Sequence, residues 1–197
     1  MKRLMDIAGA LAGLLIFFPI MLIAAAMIRV KLGAPVLFVQ ERPGLGGKPF
    51  NMLKFRTMTD AVDDDNKPLP SDQRLTPLGR FFRATSIDEL PGLLNVLKGD
   101  MSLVGPRPLL TSYLQLYTPE QARRHQVRPG LTGWAQIHGR NAVEWDERFR
   151  LDVWYVDNHS LKLDMTIIAK TIALVFRRTG VNANNGKIME KFKGSGQ

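Results

Sequence analysis

Residues 7–28 read IAGALAGLLIFFPIMLIAAAMI, 22 residues without a charge, between Lys2, Arg3 and Asp6 on one side and Arg29 and Lys31 on the other. This stretch decides the fold, because it is long and apolar enough to belong to a membrane protein. As a straight helix it would measure about 33 Å, against a hydrocarbon core of about 30 Å. Pro19 divides it. A mid-helix proline lacks an N–H and clashes with the preceding turn. This predicts a helix-break-helix with arms of about 18 Å and about 14 Å, each matching one leaflet. Cations at both ends suit entry and exit at one cytoplasmic face, as a re-entrant hairpin. A single span with a tolerated proline stays open. So does a signal peptide ending at Ala24-Ala25-Ala26, although the apolar run exceeds the usual h-region.

Outward from that segment, the chain of 197 residues is 45% hydrophobic and 23% charged, enough to bury one core. The absence of Cys excludes a disulfide scaffold, thiolate zinc and a cysteine nucleophile. A net charge of +9 points to anionic partners: nucleic acid, acidic lipid or a phosphorylated small molecule.

Val36–Arg42 and Phe50–Met58 are short β-prone runs on either side of Pro43-Gly44-Leu45-Gly46-Gly47-Lys48-Pro49, which predicts a β-hairpin. Its glycines match no nucleotide-binding pattern. The acidic stretch Asp60–Asp72 reads as a solvated loop. Thr76-Pro77 opens a basic helix through Arg80 and Arg83, and a second helix over Glu89–Lys98 closes at Gly99. Either Asp88 caps that second helix, or Ser86 and Glu89 form a capping box. Gly105-Pro106-Arg107-Pro108 is a rigid turn presenting one arginine, and Thr118 with Gln121 marks another helix start. Arg123, Arg124, His125, Arg128 and Arg140 gather near Trp134, a mixture suited to nucleic acid, phosphate or lipid headgroups, with no nucleic-acid motif beside it. Apolar residues at helical spacing over Leu161–Arg178 fit a core helix or an interfacial one. Beyond Gly180 a flexible tail is expected.

Two adjacent carboxylates, Asp88 and Glu89, stand at a helix start where exposed N–H groups also favour phosphate. An ionised aspartate can attack phosphorus, but two anions repel, so a cation must bridge them. Mg²⁺ suits carboxylate plus diphosphate oxygens, with Asp88 as its protein ligand. Acidic residues in such a place can also simply cap the helix. Arg107, fixed between prolines, is a candidate phosphate clamp. Lys54 and Arg56 alternate with Leu53 and Phe55 and so share one strand face. With three His, no HExxH and no Gly-x-Ser-x-Gly, zinc hydrolysis and a serine triad have no support.

The Pro-broken apolar helix, Gln40-Glu41-Arg42-Pro43-Gly44, Lys54-Phe55-Arg56-Thr57-Met58, Ser86-Ile87-Asp88-Glu89-Leu90-Pro91, Lys98-Gly99-Asp100-Met101-Ser102, Gly105-Pro106-Arg107-Pro108 and Arg128-Pro129-Gly130-Leu131-Thr132-Gly133-Trp134 occur in that order. Together they resemble the bacterial sugar transferase family, specifically the small, PglC-like monotopic phosphoglycosyl transferases, from about residue 1 to about residue 180. The resemblance implies transfer of a sugar 1-phosphate from a UDP-sugar to undecaprenyl phosphate, the first membrane step of glycoconjugate assembly, with release of UMP. It implies Asp88 as the nucleophile of a covalent phosphosugar intermediate, Glu89 assisting it, and Mg²⁺ bound nearby. Lys54, Arg56, Arg107 and Arg140 match basic positions for holding phosphates, and Asp152 is a supporting match with no assigned role. It also implies the cytoplasmic face of the bacterial inner membrane as the site of action. Phe18 stands before the helix-breaking proline where the family often has Ser.

The expected architecture is therefore α/β, mainly helical with a small β-hairpin, in a monotopic membrane protein with interfacial amphipathic helices. Its parts are a re-entrant membrane segment over 1–32, a catalytic domain over 33–180 and a tail over 181–197. A membrane-tethered basic module that binds anionic lipid or nucleic acid without catalysis is the alternative; salt-sensitive binding with no Mg²⁺-dependent turnover would mark it.

Overall fold

The computed structural model describes residues 1–139, 143–177 and 192–194. The apolar run forms helix α1, Lys2–Lys31, and Pro19 lies inside this one continuous helix, not in a break between two arms. A proline removes one ladder hydrogen bond and crowds one turn, which bends a helix without having to end it. Leu11, Leu15, Ile16, Phe18, Leu22 and Ile23 on α1 are exposed, whereas Asp6, Ala10, Ala24 and Ile28 toward its two ends are buried. The first end packs Ala10 with Met52, Leu93 and Val96, and the second packs Ala24 and Ile28 with Phe55 and Phe82. Arg3 donates to the carbonyls of Val96 and Leu97, while Lys2 Nζ donates to Asp164 Oδ2 at 2.6 Å and to the Val104 carbonyl. One body therefore holds both ends of the long helix.

The expected hairpin pairs β1 (Leu37–Pro43) with β2 (Pro49–Phe55) antiparallel, from Leu37 opposite Phe55 to Pro43 opposite Pro49. After the short α2 (Ser71–Arg74), α3 (Pro77–Thr85) starts as expected, with the Thr76 side chain accepting from Gly79 N–H at 2.9 Å. Gly79 is required by close approach: a Cβ there would lie 2.0 Å from the Thr57 carbonyl oxygen. Gly79→Ala should force α3 off the hairpin's end and cost about 3 kcal/mol or more, the upper range for overpacking. A thermal melt within about 2 °C of wild type would contradict that tight junction.

Helix α4 is Gly92–Lys98 and ends, as expected, at a left-handed Gly99 with φ 94°. Its start differs from both sequence-based alternatives. Ser86 adopts φ 59° and terminates α3, Ile87–Glu89 form a separate 3₁₀ turn, and α4 begins only after Pro91. Hydrogen bonds from Leu90 to Ile87 and from Leu93 to Leu90 keep the tighter spacing through the proline, which has no N–H to offer a helical ladder.

A second sheet, absent from the sequence reading, pairs β3 (Ser102–Val104) in parallel with β4 (Gly130–Thr132). It fixes the Gly105–Pro108 turn that follows β3. The remaining helices are α5 (Pro119–Ala122), whose capping box joins Thr118 and Gln121, then α6 (Trp134–Ile137), α7 (Trp145–Asn158) and α8 (Leu161–Arg177). On α8, Asp164 and Ile167 are buried while Leu161, Met165 and Ile172 are exposed. Phe192, from the stretch read as a tail, is buried among Leu109, Tyr113 and Phe149.

Candidate active site

The turn between α3 and α4 carries Asp88 and Glu89 beneath the end of β2 and the loop after β3. Lys54 Nζ donates to Glu89 Oε1 at 3.0 Å. Arg107 forks onto the same carboxylate, with one nitrogen 3.3 Å from Oε2 and the other on Oε1. Burial works against the Glu89 charge, but Arg107 and Lys54 outweigh it and hold the carboxyl well below the usual range. Burial pushes Lys54 down, against the pull of Glu89.

Asp88 has the opposite environment. It is 7% exposed, and no hydrogen bond from a described residue reaches its carboxylate. Burial first, and then the Glu89 charge, raise it to about 6 despite Lys54, Arg107 and Arg83. Two adjacent carboxylates thus have different surroundings: Glu89 is neutralised by paired cations, while no described residue hydrogen-bonds the Asp88 oxygens. A carboxylate with unengaged oxygens at the edge of a cationic group can hold a divalent ion or act as a nucleophile. No cluster of three or more His, Asp or Glu suited to a metal occurs among the described residues.

Of the residues read from sequence, Asp88, Glu89, Lys54 and Arg107 therefore come together. Arg56 does not join them. Strand β2 ends at Phe55, so the alternation stops before Arg56. Its guanidinium instead donates to the carbonyls of Leu32, Ala34 and Met58 and to Asp60, tying the hairpin to the end of α1. Arg140 lies outside the described residues. Asp152 is fully buried against Arg124, whose Nη2 donates to Asp152 Oδ2 and to the Arg107 carbonyl, both at 2.7 Å. Burial raises the Asp152 carboxyl, opposed by Arg124. Asp152 thus bears on the site through Arg124, which fixes the backbone carrying Arg107.

Two further arginines act on this group that the sequence does not single out. Arg83, read only as part of a basic helix, donates from Nε to Thr57 Oγ1 at 3.1 Å and its charge acts on Asp88. Its position five residues before Asp88, across a predicted helix end, was the available signal. Arg124, read among surface cations, is 2% exposed; nothing in a run of basic residues distinguishes the one that folds inward.

The family described as bacterial sugar transferase matches residues 1–178. The chain is 56% identical over 196 residues to "Uncharacterized sugar transferase EpsL" of Bacillus subtilis, covering 100% of this chain and 97% of the relative. It is 46% identical over 181 residues to the UDP-glucose:undecaprenyl-phosphate glucose-1-phosphate transferase of Caulobacter vibrioides, covering 87% of this chain and 68% of that protein. An Aeromonas hydrophila protein named UDP-N-acetylgalactosamine-undecaprenyl-phosphate N-acetylgalactosaminephosphotransferase is 40% identical over 187 residues, 91% of this chain but 44% of its own length. With the match running from the start of α1 through α8, the chain belongs to the bacterial sugar transferase family.

Proposed function

We propose that the protein transfers a sugar 1-phosphate from a UDP-sugar to undecaprenyl phosphate through a covalent intermediate on Asp88. The observation that carries this reading is the buried Asp88 carboxylate, free of hydrogen bonds from the described residues and acted on by the charges of Lys54, Arg107 and Arg83. The names of the Caulobacter and Aeromonas relatives support the substrate classes.

An Asp88 oxygen attacks the β-phosphorus of the donor. The bond from that phosphorus to the bridging oxygen breaks, and UMP leaves with the electron pair. Lys54 and Arg107, already charged and fixed on Glu89, face the negative charge of the diphosphate without reorganising. A phosphate oxygen of undecaprenyl phosphate then attacks the same phosphorus and releases the Asp88 carboxylate. Mg²⁺, when bound, neutralises charge between carboxylate and diphosphate. Asp88 would hold it, and with no further acidic cluster among the described residues its other ligands would be substrate oxygens and water.

A membrane-bound acceptor requires the site to lie at the lipid surface. An apolar α1 with exposed Leu and Phe side chains, both of whose ends are buried on one body, supports entry and exit at a single face. Exposed Leu161, Met165 and Ile172 on α8 support its lying at the interface. The cationic flanks of α1 favour the cytoplasmic side of the inner membrane.

Purified protein in nanodiscs, given a panel of UDP-sugars, undecaprenyl phosphate and Mg²⁺, should release UMP from at least one donor. Absence of UMP from every donor would reject the reading. Because Asp88 must be ionised to attack, single-turnover UMP release should rise about tenfold per pH unit below about 6 and level off above it. Glu89→Gln removes a like charge and should move that midpoint down; an unmoved midpoint would separate the titration from Asp88.

A further inference from the structure

The cationic group extends past the two carboxylates. In the hairpin, Phe38 stands opposite Lys54, Gln40 opposite Met52 and Arg42 opposite Phe50. Directly paired residues and alternate residues share a face, so Arg42 lies on the same side of the hairpin as Lys54, about 13 Å further along. One Arg42 nitrogen donates to Gln40 Oε1 at 2.6 Å, while its Nε is buried without any hydrogen-bond partner. Burial first, and then the charge of Arg107, push the Arg42 guanidinium down. Arg107 and Pro43, the chain neighbour of Arg42, line one small cavity. A half-buried Arg42 whose buried Nε has no partner among the described residues leaves a donor and charge uncompensated, an arrangement suited to an anion with several oxygens.

We infer that Arg42 binds the phosphate of the departing nucleoside monophosphate, extending the Lys54–Arg107 row along the hairpin face. This rests on the proposed function: with the β-phosphorus at Asp88, the α-phosphate is one bridging oxygen away and remains on the leaving group. The same phosphate chemistry is carried by the lipid acceptor, and the acceptor KM tells the two apart.

The test uses the full chain in nanodiscs, with UMP binding followed by calorimetry and the KM for undecaprenyl phosphate measured in parallel. Loss of a charge-assisted hydrogen bond predicts UMP binding weaker by about tenfold to a hundredfold in Arg42→Met. Arg42→Lys, which keeps the charge and loses the fork, should fall between Met and wild type. The KM for undecaprenyl phosphate should stay within about twofold in Arg42→Lys, since the site assigned is that of the nucleotide. Unchanged UMP affinity in both variants overturns the inference, as does a selective rise in the acceptor KM. If Arg42→Met does not melt cooperatively, the Lys variant decides: UMP affinity equal to wild type overturns it. Because UMP binding is read without turnover, an Asp88 that takes up label alongside unaltered UMP binding would reject only the role of Arg42.

Discussion

Asp88→Asn is expected to lower UMP release by at least about 10⁴-fold, the scale of losing a covalent nucleophile, while leaving a folded protein that melts higher at pH 7.5. The gain in stability has a specific origin. Asp88 is raised to about 6 in the fold from an ordinary 3.8, so the folded state binds its proton more tightly than the unfolded chain does. Its stabilising contribution is complete below about pH 4 and is lost as pH rises through about 6. Above that the fold carries a buried, unsolvated charge. Removing the charge should return on the order of 1–3 kcal/mol at pH 7.5, several degrees in melting temperature for a chain of this size, and little at pH 4. An active-site group that costs stability is expected where a carboxylate must stay free for a reaction. Equal melting temperatures of variant and wild type at pH 7.5 would show that Asp88 is not strained.

The second large effect is expected from Asp152, which touches none of the reacting groups. Asp152→Ala leaves Arg124 at 2% exposure without its carboxylate, and breaking such a buried pair costs about 3–5 kcal/mol. Arg124 also holds the Arg107 carbonyl, so the damage should pass to the site. A displaced Arg107 pulls less on Asp88, which predicts that the pH midpoint of UMP release moves above about 6 in the milder Asp152→Asn. Arg124→Lys should not restore it, because an ammonium cannot reach Asp152, Tyr117 and the Arg107 carbonyl together as the guanidinium does. A destabilised Asp152→Asn protein with an unmoved midpoint would confine Asp152 to stability alone.

These residues also mark where the sequence was informative. The hairpin, the Thr76 and Thr118 helix starts and the Gly99 stop depend on side-chain chemistry within a few residues, and they appear as expected. Asp88, Glu89, Lys54 and Arg107, each in a short rigid or alternating motif, are brought together in the structure. The β3–β4 pairing was not legible: each strand has three residues, too few for a period, and its partner lies 28 positions away, as from Ser102 to Gly130. The alternation that puts Arg56 on the Lys54 face extends one residue past the end of the strand, where it no longer holds. For α1, hydropathy gave the helix, but the continuity of the helix through Pro19 depends on neighbouring turns that hold despite one missing hydrogen bond.

The central claim, a phosphosugar carried on Asp88, is tested most directly by trapping it. Protein incubated with an accepted UDP-sugar and Mg²⁺ in the absence of undecaprenyl phosphate, then quenched in acid and digested, should yield the Asp88 peptide with the added mass of one sugar phosphate. That added mass should disappear on addition of undecaprenyl phosphate. Turnover in the complete reaction with no modified peptide at any quench time would mean that the sugar phosphate passes directly between substrates, and that Asp88 is never bonded to phosphorus.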